Sequence, residues 1–274
     1  MSVARTTPDF LLAASTASRR EALGFRCKIS GGLLSRTMML EELSLVLAQT
    51  PPTASPGEIS AAIIDGNLLG KPTRASRIKS YRHLNELYGL DPQKALFRVL
   101  RHLAALDPAS LPVLALICVY CRDPQLRATF SLIRALPLGA QLHRADVEAF
   151  LVSAFPDRFS PVLIRALSQN TSASWTVSGH LAGRMKKHRT YPPVRPVAVA
   201  FAMLAGYLAG LRGQRLLQSD FGELATAQAA LIPSQLSMAA ARGLLGFKQA
   251  GGVIEFDFSP LLTPAELALA DVTD

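Results

Sequence analysis

The chain has only three cysteines, and it lacks the residue groupings that most enzymes need. So low and odd a count argues against a disulfide framework and for a reducing compartment. Cys118 and Cys121 form a CxxC pair, but no second pair or nearby histidine completes four zinc ligands, so two buried structural cysteines are the simpler interpretation. No Gly-rich phosphate loop, GxSxG or HExxH motif occurs. The sequence therefore predicts a protein that is not an enzyme and that needs no metal or cofactor.

Long apolar runs are also missing. Residues 197–211 form an uncharged run of 15 residues, whereas a membrane-spanning helix needs about 20. The run is rich in Ala and Gly, which predicts a buried helix that other helices approach closely. The apolar stretch at residues 10–14 is too short for the core of a signal peptide. We therefore interpret residues 1–20 as a flexible leader, and we expect a cytoplasmic protein that does not span a membrane.

Acidic residues are absent from a long part of the second half. Residues 158–219 contain nine cations and no Asp or Glu, whereas the rest of the chain carries 20 basic and 20 acidic residues. The net charge of +9 therefore comes from this acid-free stretch. Such a stretch favours nucleic acid as a partner first and anionic lipid second, because released counterions drive binding to phosphates. The alternative is a solvated basic face without a partner.

Apolar spacing and turn signals predict a mainly α-helical protein with a small C-terminal β-hairpin. Ser35 is the expected N-cap of a helix over 36–49, and Thr73 and Gly89 are expected to bound another over 73–88. Asp-Pro pairs at 91, 107 and 123 predict helix starts. The other predicted elements are helices over 58–65, 160–169, 175–188 and 234–242, a loop at 170–174, and a hairpin around Gly251-Gly252.

Residues 155–157, Phe-Pro-Asp, predict a boundary between two helical halves. The expected domains are the leader at 1–20, an N-terminal helical domain with a helix-turn-helix at 21–155, and a basic helical domain at 156–274. The second domain ends in a helix followed by a hairpin. A winged helix ends in this way, and so do many other domains that mix helices and strands.

The first basic cluster lies between Asp65 and Glu86 and contains Lys71, Arg74, Arg77, Lys79 and Arg82. Three short helices with a basic third one fit a helix-turn-helix, whose third helix would enter the major groove. On that helix we expect Ile78, Tyr81, Leu84 and Tyr88 to face inward and Lys79, Arg82 and His83 to face outward. The alternative is a solvated helix face.

The second basic cluster covers residues 174–189. On the predicted helix, Val177, Leu181 and Met185 face inward, while hydroxyls, a histidine and cations share the outer face. Such a face suits contact with phosphates and base edges. Trp175 is interpreted as a core anchor rather than a base-stacking residue. The candidate DNA-binding residues of this cluster are Thr176, Ser178, His180, Arg184, Lys186, Lys187 and Arg189.

Three segments together resemble the BrxA family of BREX (bacteriophage exclusion) systems. They are Ser35-Arg36 with the helix that follows, residues 67–78 (NLLGKPTRASRI), and the basic segment 175–189. The similarity covers about residues 30–215 and leaves out the C-terminal helix and hairpin. It implies a non-enzymatic, mostly helical DNA-binding protein with helix-turn-helix elements. Such a protein works beside a methyltransferase, an ATPase and a phosphatase-like partner against phage, and the family has no catalytic residues to carry over.

The sequence thus predicts a double-stranded DNA-binding component of an anti-phage complex. Both basic helices would contact mainly phosphates, so binding should depend on salt and be weakly sequence-selective. The expected partners are duplex DNA and other BREX-type defence proteins, and a homo-oligomer is compatible with the sequence. Two alternatives stay open. One is a protein-binding or membrane-surface adaptor that docks through the helix at 197–211, and the other is an RNA-binding helical protein.

Overall fold

The computed structural model describes residues 17–26, 28, 31–226 and 228–271. Within these ranges the chain forms fifteen α-helices and five short strands, so the prediction of a mainly helical protein is confirmed. Most of the predicted leader (residues 1–16) and Cys27 lie outside the described residues. Residues 17–20 belong to the first helix, where Arg20 is buried and donates a hydrogen bond to the carbonyl of Ala209 (3.2 Å).

Five helices make up the N-terminal part: α1 (Ala17–Leu23), α2 (Gly32–Ser35), α3 (Leu40–Gln49), α4 (Pro56–Ile64) and α5 (Arg74–Tyr88). The predicted bounds of α5 are confirmed, with Thr73 as its N-cap and Gly89 (φ +60°) at its end. Ser35 as an N-cap is wrong, because it is the last residue of α2. The backbone between Ser35 and α3 is held away from helical geometry, since the amide of Met38 donates to Ser174 Oγ (3.0 Å) and the carbonyl of Met38 accepts from Tyr88.

Three helices follow: α6 (Ala95–Leu106), α7 (Leu111–Arg122) and α8 (Pro124–Ala135). The predicted helix start at Asp123 is confirmed, since its carboxylate accepts from the amide of Leu126 (2.9 Å). The start at Asp91 is wrong, because its carboxylate instead accepts from Gln93 and α6 begins only at Ala95. The Asp-Pro pair at 107 opens a single 3-10 turn.

The next part combines two helices with a small sheet: β1 (Gln141–Leu142), α9 (Arg144–Ala154), α10 (Pro161–Val177), β2 (Leu181–Ala182) and β3 (Lys187–Arg189). The strands are antiparallel in the order β1-β3-β2. Helix α9 packs against α8 and α10, and α10 packs against α8 and β2. The predicted boundary near residue 156 is the turn between α9 and α10, and the division into two domains stays a prediction.

The predicted loop at 170–174 and helix at 175–188 are both wrong. Helix α10 runs through the loop region. Hydroxyls such as those of Thr171 and Ser174 are satisfied inside the helix, because they donate to the carbonyls four residues earlier (2.8 Å each). It ends soon after Trp175, since Gly179 (φ +83°) and Gly183 (φ +101°) adopt conformations that a right-handed helix excludes.

The C-terminal part contains α11 (Pro196–Leu208), α12 (Gly213–Leu217), α13 (Asp220–Ala225), α14 (Ile232–Ala241), β4 (Gly246–Ala250), β5 (Val253–Asp257) and α15 (Pro264–Asp271). The predicted β4–β5 hairpin is confirmed; Gly251 and Gly252 both have positive φ (55° and 83°), as its tight turn requires. All thirteen residues of α11 are buried, which confirms the predicted buried helix.

Helix α11 is the centre of the core. It packs against α6, α7, α13 and α14, and a Cβ at Gly206 would lie 2.4 Å from Leu216 Cδ1. Buried side chains from Leu23 to Ala270 form one apolar cluster. None of the helices in the described ranges is long and apolar enough to cross a membrane.

Candidate nucleic-acid interface

Strands β2 and β3 form a hairpin where the sequence predicted the C-terminal half of the helix over 175–188. Leu181 pairs with Arg189, and Ala182 pairs with His188. The hairpin tip, defined here as residues 183–186, is exposed, and Met185 at its centre is 91% exposed. The inward position predicted for Met185 and Val177 is therefore wrong, whereas Leu181 is buried as predicted.

Two of the candidate cations lie at this tip. Arg184 and Lys186 are exposed on either side of Met185, and neither forms an ion pair within the described part of the chain. Their charges are available to a partner from solution. The tip therefore presents two unpaired cations around one apolar side chain.

His180 was predicted to face outward and Ser178 was a candidate DNA contact, but both side chains are buried. His180 is 0% exposed, with its Nε2 3.1 Å from the carbonyl of Leu224 and its Nδ1 2.9 Å from Ser178 Oγ. Burial, together with the charge of Arg189, lowers the pKa of His180 to about 3, although the hydrogen bond to Leu224 acts in the opposite direction. The imidazole is therefore neutral, and the neighbouring carbonyl requires the proton on Nε2. Both side chains hold the fold together and are closed to a ligand.

Arg189 is also buried, although it was predicted as a DNA contact. Its Nη1 donates to the carbonyls of His180 (2.9 Å) and Thr190 (2.6 Å), and its guanidinium lies over the ring of Tyr191. Burial lowers the pKa of Arg189, yet a guanidinium stays charged at neutral pH. The guanidinium of Arg189 therefore fastens β3 to the turn before β2.

Lys187 and Thr176 join the hairpin to α10. The ammonium of Lys187 donates to Thr176 Oγ1 (2.9 Å), and both side chains are half-buried. Burial lowers the pKa of Lys187. The two candidates therefore lie beside each other, at the junction between β3 and the end of α10.

One face of α10 is exposed, and the sequence analysis did not find it. At about 100° per residue, Val162, Arg165 and Gln169 fall on one side of the helix, and we call these three residues the α10 stripe. Val162 is 77% exposed, and Arg165 and Gln169 are exposed without a side-chain partner in the described ranges. All three residues lie in the helix predicted over 160–169, so their helical spacing was the available signal.

Some cations of the acid-free stretch form ion pairs with acidic residues from other parts of the chain. Arg195 pairs with Asp107 (3.2 Å) and Arg212 with Asp271 (3.2 Å). Within this stretch, the cations that are exposed and free of ion pairs with described residues are Arg158, Arg165, Arg184, Lys186 and Arg215. Four of these five lie on the hairpin tip, on α10 or in the turn before it, so the unpaired positive charge of the acid-free stretch is concentrated there.

Three residues of the first basic cluster support the fold around α5. Lys71 pairs with Glu42 (3.0 Å), Arg74 pairs with Asp65 (2.8 Å), and Arg77 donates to a backbone carbonyl at the end of α4. Lys79 and Arg82 are exposed, as predicted, and have no ion pair among the described residues. They are the cations that α5 can offer to a partner.

The predicted faces of α5 are wrong at two positions. Ile78 is 45% exposed, whereas His83 is buried. Burial lowers the pKa of His83, so it adds no positive charge to this surface at neutral pH.

Trp175 is a core anchor, as predicted. It is buried, its Nε1 donates to Thr129 Oγ1 (2.9 Å), and its ring stacks on Phe130. Cys118 and Cys121 are buried on α7, and burial raises the pKa of Cys118 to about 12. Among the residues that the structure describes, no group of three or more His, Cys, Asp or Glu could hold a metal ion.

No protein-family model matches the chain, and no curated protein matches it. The resemblance to the BrxA family therefore stays a prediction.

Proposed function

We propose that this protein binds double-stranded DNA through α10 and the tip of the β2–β3 hairpin. The order α8, β1, α9, α10, β2, β3, with β3 between the other strands, is that of a winged helix. In such a fold the second helix of the helix-turn-helix lies in the major groove and the hairpin contacts the neighbouring backbone. Here these elements would be α10 and residues 183–186.

The charge distribution is the observation that carries the proposal. Arg158 lies in the turn before α10, Arg165 lies in the first half of α10, and Arg184 and Lys186 lie at the hairpin tip. All four are exposed and lack ion pairs within the described ranges. Cations of this kind release counterions when they meet phosphates, so the affinity should fall steeply with salt. Lys79 and Arg82 on α5 would add phosphate contacts from a second surface.

The membrane or protein adaptor was expected to dock through the helix at 197–211, and that helix, α11, is wholly buried. RNA binding shares the charge pattern, so competition between duplex DNA and structured RNA separates these two functions. Membership of a BREX-type complex belongs to this proposal through the family resemblance alone, and a cytoplasmic location through the low cysteine count and the short apolar stretch at residues 10–14.

The test measures binding to a random-sequence duplex of about 30 base pairs over a salt series. The double variant Arg184→Ala/Lys186→Ala removes both tip cations. Its matched control is Arg215→Ala/Lys248→Ala, which removes two exposed cations on α12 and β4.

We expect the tip variant to bind more weakly and to lower the slope of log K against log salt by about two, while the control keeps the wild-type slope. Absence of duplex binding at low salt would overturn the proposed function. Equal slopes for the two variants would remove the tip from the interface.

A further inference from the structure

The α10 stripe carries little charge for a helix face that would contact only phosphates. Val162, Arg165 and Gln169 supply one branched apolar group, one guanidinium and one amide. A phosphate-binding face needs cations, and an exposed valine gains nothing from a phosphate or from water. Phosphate contacts carry no sequence information, whereas base edges are read by side chains of these three kinds.

Each of these side chains has a match in the major groove. An apolar group contacts the methyl of thymine, Arg donates two hydrogen bonds to guanine, and Gln makes two to adenine. Arg165 and Gln169 make no side-chain hydrogen bond to the described residues, so their full capacity is available. Val162 is 77% exposed, so its methyl groups are accessible.

The spacing of the stripe fits successive base pairs. An α-helix rises 1.5 Å per residue, so Val162 and Gln169 lie about 10 Å apart along the axis of α10. Base pairs are stacked 3.4 Å apart, so this length corresponds to about three base pairs. Arg165 lies between the two ends and would contact a base pair inside this element.

Helix α10 is held firmly enough to keep such a register. Ser160 caps its start. Near its end, Trp175 is hydrogen-bonded to Thr129 of α8, and Thr176 is hydrogen-bonded to Lys187 of β3. A reading helix must be fixed by its support, because a small displacement breaks two-point hydrogen bonds to a base.

We propose that α10 reads a short DNA element in which a thymine, a guanine and an adenine are contacted by Val162, Arg165 and Gln169. This inference rests on the proposed function and deepens it from charge-driven binding to sequence selection. The unpaired cations of the hairpin tip and Arg158 would fix the register on the backbone, and the stripe would choose the bases.

The first experiment selects duplexes from a random pool with wild-type protein and with Gln169→Ala. We expect wild type to enrich a site that contains adenine at a fixed position. Changing that base pair should cost about 5- to 100-fold in affinity, whereas Gln169→Ala should bind both sites alike. The matched control is Gln214→Ala, an exposed glutamine on α12, which should keep the wild-type preference.

The second experiment isolates the thymine methyl. Replacing the selected thymine by uracil removes one methyl group and should cost wild type about threefold to fivefold. Val162→Ala should show no further loss with uracil, and the control Val253→Ala, at a valine that is 70% exposed on β5, should behave as wild type.

Duplex binding with no enriched site would overturn this inference and leave the proposed function standing. An enriched site that Val162→Ala and Gln169→Ala select unchanged would also overturn it. Failure to bind any duplex would overturn both proposals.

Discussion

His180 connects three parts of the fold at the scale of a single residue. It follows the end of α10, its Nε2 faces the carbonyl of Leu224 on α13, and its ring lies 5.1 Å from that of Trp175. Arg189 of β3 donates to its backbone carbonyl. A charged imidazole at this position would have no solvent, which is why its pKa is low.

His180 should make stability depend on pH. Its pKa is about 3 in the folded chain and 6.5 without burial, so the unfolded chain takes up the proton first. Neutral His180 therefore makes its full contribution to the free energy of unfolding above about pH 6.5. This contribution decreases as pH falls towards 3, by up to about 1.4 kcal/mol per pH unit. We expect the urea midpoint to be lower at pH 5 than at pH 7.5.

The pH dependence should be weaker in His180→Gln, although that variant is less stable at pH 7.5. His102→Gln is the control, because His102 is exposed. Buried His83 has a lowered pKa as well, so some pH dependence should persist in His180→Gln. The same pH dependence in both variants would show that His180 is not responsible.

At the scale of elements, α10 and the β2–β3 hairpin depend on signals that act in opposite directions. Serine and threonine have weak helix propensity, yet in α10 their hydroxyls bond to the preceding turn and the helix continues. Gly179 and Gly183 then release the chain into a hairpin. Gly179 precedes β2 and Gly183 opens the tip, which carries Arg184 and Lys186 away from the core.

Packing around α11 should tolerate no added volume at Gly206. A Cβ there would lie 2.4 Å from Leu216 Cδ1 and 3.1 Å from the ring of Phe221. We expect Gly206→Ala to lower the free energy of unfolding by about 1–3 kcal/mol, because overpacking forces neighbours to shift. Urea denaturation provides the measurement.

Gly57→Ala is the matched control for this change. Gly57 lies in α4, its φ is not positive, and an added Cβ would meet nothing closer than 3.9 Å. Alanine should therefore be neutral or stabilising there. Equal losses in the two variants would mean that packing at α11 is not the cause.

At the scale of the whole molecule, the two predicted halves share one apolar core. Helix α7 of the first half packs against α11 of the second. Charges also pair across the halves, as Arg195 does with Asp107 and Arg134 with Asp220. Contacts of this extent couple the stability of one half to that of the other.

The shared core predicts a single unfolding transition for residues of both halves. Trp175, the one tryptophan, reports on the contact between α10 and α8, whereas far-ultraviolet circular dichroism reports on all helices. We expect the two signals to give coincident urea midpoints. Two separate midpoints would show that the halves unfold independently.

Local signals in the sequence were sufficient for some elements. Thr73 and Gly89 bound α5 because a cap and a left-handed glycine act within a few residues. The composition of residues 197–211 identified a buried helix, since a run without charges has no reason to face water. The Gly251-Gly252 turn likewise defined the β4–β5 hairpin.

Only the tertiary structure decided which side chains of the candidate site face outward. His180 and Arg189 are polar and look accessible in the sequence, but α13 and the small sheet cover them. Arg195 and Arg212 form ion pairs with acids far along the chain, so their charges are not free for a partner. The sequence by itself determined the total charge and the elements whose ends are set by local caps and turns, such as α5 and the β4–β5 hairpin. Exposure and pairing depend on what packs against each residue, and contacts between distant segments set both.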